Sequence, residues 1–106
     1  MNLNFLVDSG LRIEATALGD PSNDLVILLH GGGQTRHAWG ATTKKLSESG
    51  FYALAIDLRG HGDSDWSPQG DYAIEYFRED LISIIKQLGK PASLVGASLG
   101  GMISLS

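Results

Sequence analysis

Three stretches constrain this chain more than any others: Leu25-Val26-Ile27-Leu28-Leu29, residues 51–56, and Ala92-Ser93-Leu94-Val95. The first is apolar at every position. A strand with one wet face would alternate, so an unbroken run predicts a strand buried on both faces, as in a parallel sheet covered by helices. Between the first two runs, about 38–49, Trp39, Thr42 and Leu46 fall at helical spacing, and Gly50 suits the position just past a helix end. Between the second and third, about 73–88, Phe77, Leu81, Ile84, Ile85 and Leu88 make one apolar stripe opposite Arg78, Glu79, Lys86 and Gln87. Gly89 and Pro91 end that helix. Ahead of all this, residues 3–7 and 11–18 read as an antiparallel hairpin turned at Asp8-Ser9-Gly10, followed by a loop at 19–23. Hairpin, then strand, helix, strand, helix, strand predicts an α/β fold with a mainly parallel sheet.

In an open α/β sheet, ligands bind beyond the carboxyl ends of the strands. Each of these three strands ends there in a glycine-bearing loop. The first is His30-Gly31-Gly32-Gly33-Gln34-Thr35, and the second is Asp57-Leu58-Arg59-Gly60-His61-Gly62-Asp63-Ser64. The third is Gly96-Ala97-Ser98-Leu99-Gly100, which spells G-x-S-x-G between a strand and the start of an apolar segment. That is the setting of a nucleophile elbow: the glycines permit a turn too tight for side chains, and the serine hydroxyl is presented at the strand end. Bare backbone N–H groups at Gly31, Gly32 and Gly33 could approach a ligand atom closely. Together with the N–H of Leu99 they would form an oxyanion hole; the other reading is a tight strand-to-helix turn. Phosphate loops fail the spacing. No lysine follows these glycines as a Walker loop needs, and the third glycine of G-x-G-x-x-G is replaced by Arg36 in one loop and Asp65 in the other.

Composition narrows the classes further. A hydrophobic content of 42% with 19% charged residues supports a soluble, folded core, and the net charge of −4 argues against nucleic acid. Lys44-Lys45 reads as a solvated helix face. Cysteine is absent, which excludes disulfides and thiolate metal sites and suits a reducing cytoplasm. No leader pattern opens the chain, and no apolar run approaches the roughly 20 residues of a membrane span. Asp63, Asp65 and Asp71 lack regular cation-ligand spacing. His30 reads as a loop brace, His37 as a surface residue at a helix start, and Asp57 as a buried acid with a structural hydrogen-bonding role. No cofactor is expected.

The three loops, in this order after the opening hairpin, resemble the α/β-hydrolase fold family along essentially the whole chain, closest to its esterase, epoxide-hydrolase-like and cofactor-free haloperoxidase branch. The resemblance implies Ser98 as nucleophile, where epoxide hydrolases and haloalkane dehalogenases carry Asp. It implies an acyl-enzyme formed from a small ester-like substrate, with the oxyanion held by Leu99 and by Gly32 or Gly33. It further implies structural support from His30, Gly31, Asp57, Arg59, Gly60, Gly62, Gly96 and Gly100, with perhydrolysis as a side reaction.

The family's order is serine, acid, histidine. The two partners of Ser98 are therefore expected after Ser106, which would make residues 1–106 the N-terminal part of a single, incomplete hydrolase domain. A serine without its base is a weak nucleophile, so little turnover is expected from these residues alone. The alternatives are a non-catalytic binding or interaction module and a fragment completed by a C-terminal segment or second chain.

Overall fold

The structure, a computed structural model, describes residues 1–97. Among these residues five strands form one mixed sheet: β1 (Asn2–Leu6), β2 (Arg12–Leu18), β3 (Asp24–Leu29), β4 (Phe51–Ile56) and β5 (Ala92–Gly96), in the order β1-β2-β4-β3-β5. The β1–β2 hairpin joins β4 antiparallel through β2, while β4, β3 and β5 run parallel. Helix α1 (Gly40–Glu48) connects β3 to β4, and α2 (Ile74–Leu88) connects β4 back across β3 to β5. The expected α/β architecture with its N-terminal hairpin is the one observed.

The unbroken apolar runs follow from the helices. Side chains alternate between the faces of a strand. Leu25, Ile27 and Leu29 of β3 and Leu54 and Ile56 of β4 therefore face α2, packing with Phe77, Leu81 and Ile84. Val26, Leu28, Ala53 and Ala55 point the other way, toward α1, and pack with Trp39, Leu46 and Phe51. Crossovers of one hand taken in opposite directions put their helices on opposite faces, so both faces need apolar residues. Ile27, Leu29, Leu54 and Ile84 retain 0% exposure. Each such side chain contributes about 1.5–3 kcal/mol by leaving water.

The first helix begins later than its spacing predicts. A 3₁₀ turn, Arg36–Trp39, precedes it, and Thr35 caps that turn by accepting the His37 N–H at 3.3 Å. Trp39 thus lies outside α1. The buried threonine is Thr43, which donates its hydroxyl to the Trp39 carbonyl at 2.5 Å, and Thr42 is only half-buried. The second helix ends as expected, with Gly89 in the left-handed conformation (φ 70°). Among the described residues no helix is long and apolar enough to cross a membrane.

Candidate active site

The register pairs Leu29 with Ile56 on one side and with Gly96 on the other. Three parallel strands therefore leave the sheet at one level, and the residues that follow are His30, Asp57 and Ala97. The Ala97 N–H donates to the Leu29 carbonyl at 3.2 Å, so β5 stays paired one residue past Gly96. Ser98, Leu99 and Gly100 lie outside the described residues.

The glycine turn leaves β3 under tight control. The Gln34 N–H donates to the Gly31 carbonyl at 3.1 Å, closing a β-turn with Gly32 and Gly33 at its centre. Gly33 has φ 77°, which the third position of a type II turn requires and which favours glycine there. The Gln34 side-chain carbonyl accepts the Gly31 N–H at 3.0 Å. Gly32 and Gly33 are exposed, and their N–H groups have no acceptor among the described residues.

His30 braces the start of this turn. It is fully buried, its Nδ1 lies 2.7 Å from the Gly31 carbonyl and its Nε2 lies 3.0 Å from the Leu58 N–H. The carbonyl can only accept and the amide can only donate. Nδ1 therefore carries the proton and Nε2 is bare, which is the neutral imidazole. Burial above all pushes its pKa below the ordinary value. The Gly31 hydrogen bond and Asp57 act the other way, and the His61 ring, 4.9 Å away, adds to the drop. With both nitrogens occupied, His30 has no site to take a proton from a nucleophile.

Asp57 holds the far end of the turn. One carboxylate oxygen accepts the Arg36 N–H at 2.6 Å; the other accepts the Arg36 guanidinium and the Asp63 N–H, the latter at 2.9 Å. Arg36 also donates to Asp63 Oδ2 and to Thr16 Oγ1, each at 2.9 Å. Asp57 is completely buried and Arg36 is 5% exposed, so the pair is a desolvated charge clamp. Gly62 is needed beside it, because a Cβ there would fall on the Asp57 carboxylate.

Arg59 is committed elsewhere. It makes a two-pronged pair with Asp80 of α2, Nε and Nη2 each at 2.7 Å, donates to the Asp71 carbonyl at 2.9 Å and lies 5.5 Å over the Tyr76 ring. His61 places Nδ1 3.0 Å from the Arg59 carbonyl. His37 is exposed on the 3₁₀ turn.

Sequence reasoning missed Arg36, Gln34 and Asp80. Asp80 had a local signal, a carboxylate set on the apolar stripe between Phe77 and Leu81. Arg36 had none, since its partner is 21 residues away. Among the described residues no group of three or more His, Asp or Glu side chains gathers as a metal site. The arrangement offers uncommitted backbone donors beside the end of β5, on a turn clamped at both ends, which suits holding a developing anion.

Comparison with known proteins places these features in context. The family described as alpha/beta hydrolase fold matches residues 24–106. An esterase of Mycobacterium tuberculosis is 42% identical over 81 residues, covering 76% of this chain and 26% of its own. Epoxide hydrolase 3 of Xenopus tropicalis is 39% identical over 99 residues, 92% of this chain and 27% of its own. The chain thus spans about a quarter of the length of these curated relatives. Among solved structures, an esterase from Exiguobacterium antarcticum superposes with TM-score 0.90 at 29% identity, covering 99% of this chain and 38% of that one. An epoxide hydrolase from Vigna radiata gives TM-score 0.89 at 27% identity, with 97% and 33% covered.

Proposed function

This chain belongs to the α/β-hydrolase family, and from that premise we propose that it is a serine-dependent hydrolase of carboxylic esters or related small acyl compounds. Ser98 Oγ gives up its proton to a base supplied from outside residues 1–106, which later passes it to the leaving alcohol, and adds to the acyl carbon. The oxyanion that forms is held by the Leu99 N–H together with that of Gly32 or Gly33. Collapse breaks the bond to the leaving alcohol, which takes a proton, and leaves the acyl group on Ser98. Water then releases the acid and regenerates the serine.

One observation carries this reading: in the sequence β5 runs into G-x-S-x-G with Ser98 at its centre, and the strand paired with β5, β3, leads at the same end of the sheet into the glycine turn. Relatives include both esterases and epoxide hydrolases. Serine rather than aspartate at the elbow favours ester chemistry. The base and acid are proposed to come from outside these 106 residues. His30 is occupied at both nitrogens, and neither His37 nor His61 stands where the family's base does. Loss of a triad costs about 10⁶ in rate in a well-studied serine protease, so the 106-residue chain alone should turn over almost nothing.

A p-nitrophenyl ester assay and labelling by a fluorophosphonate probe test the proposal on residues 1–106 joined to the segment proposed to carry the acid and the histidine. Ser98→Ala should abolish both. Turnover that survives Ser98→Ala would overturn the assignment, and robust turnover by residues 1–106 alone would overturn the need for outside partners.

A further inference from the structure

We propose that Gln34 is a positioning residue that reserves the N–H groups of Gly32 and Gly33 for the substrate oxyanion; this rests on the serine-hydrolase reading above. Gln34 engages Gly31 twice, once on each of the two peptide units that flank it. Its backbone N–H closes the turn onto the Gly31 carbonyl, and its side-chain carbonyl takes the Gly31 N–H at 3.0 Å. Gly31 is buried, so its N–H needs a partner, and no backbone acceptor among the described residues supplies one. The Gly31 carbonyl also accepts from His30 Nδ1. With Gly31 saturated on both sides, the donors left on the turn are those of Gly32 and Gly33, both exposed.

Without the Gln34 carbonyl the Gly31 amide must find another acceptor. Gly32 and Gly33 have no side chains to hold the turn between the two clamps, so its backbone is free to rotate once that bond is gone. Its rotation would re-aim the very donors that the oxyanion needs. Gln34 is itself exposed, so the effect should fall on geometry rather than on core packing.

The test is steady-state kinetics on a p-nitrophenyl ester with residues 1–106 joined to the segment proposed to carry the acid and the histidine, normalised to active sites titrated by a fluorophosphonate. Gln34→Met keeps the length and removes the acceptor. It should lower kcat per titrated site about tenfold with KM within about twofold, less than the loss of a whole oxyanion donor. Gln34→Ala should follow it. A merely structural role would reduce the number of titratable sites and leave kcat per site unchanged, which would overturn the proposal. Ser98→Ala in the same series separates the two levels. If it stays active, the serine reading fails. If it is dead and Gln34→Met matches the parent per site, only the role of Gln34 fails.

Discussion

Asp57 is engaged at both carboxylate oxygens and at its carbonyl, which accepts the Ser64 hydroxyl at 2.5 Å. Its worth lies less in the attraction to Arg36 than in what its loss would leave behind, a guanidinium buried without its main partner. Asp57→Ala should therefore destabilise by about 3–5 kcal/mol in urea unfolding. Asp63→Ala should cost under about 1 kcal/mol, because the Asp63 side chain is 69% exposed and water screens that pair. Equal effects would show that burial does not govern this cluster. Asp57 was legible as a buried acid from its place at the end of an apolar strand. Its partner was not. The two meet only because β3 and β4 are neighbours in register, and nothing near Arg36 in the sequence announces that.

At the level of elements, α2 displays the clearest match between pattern and packing. Its stripe at Phe77, Leu81 and Ile84 lies against β2, β3 and β4, and Ile82, off the stripe, is 43% exposed. Ile84→Ala should cost about 2–5 kcal/mol and Ile82→Ala under about 0.5 kcal/mol, read from chemical denaturation of the same protein. Similar losses at both positions would mean that this face is not what holds the helix. The strands were legible to within a residue or so, since an apolar run bounded by glycine or polar turns has few other solutions. The start of α1 was not. Its register is delayed by the 3₁₀ turn, whose first N–H, that of Arg36, is taken by Asp57 from another loop. Propensity has no access to such a clamp.

Across the molecule, His30 couples the β3 and β4 loops to pH. The unfolded imidazole binds a proton near its ordinary value of about 6.5, whereas the folded one, buried and bonded at both nitrogens, binds it only at lower pH. Between these values the unfolded state holds more protons. Stability from this site is thus complete above about pH 6.5 and is lost as pH falls toward the folded value. The urea midpoint should drop from about pH 7 to about pH 5, and His30→Gln should flatten that drop. An unchanged slope would place the coupling elsewhere. The sequence by itself determined the order of the five strands and two α-helices and that β3, β4 and β5 share one carboxyl edge. Those properties follow from periods of two and 3.6 residues and from glycine punctuation, all of which are local. Only the tertiary structure decided that β2 lies beside β4, that Arg36 closes on Asp57 and Arg59 on Asp80, and that His30 has no free nitrogen. Each of these depends on groups brought from distant parts of the chain into one dry space, where an unpaired charge or an unmet hydrogen bond costs more than any local preference can recover.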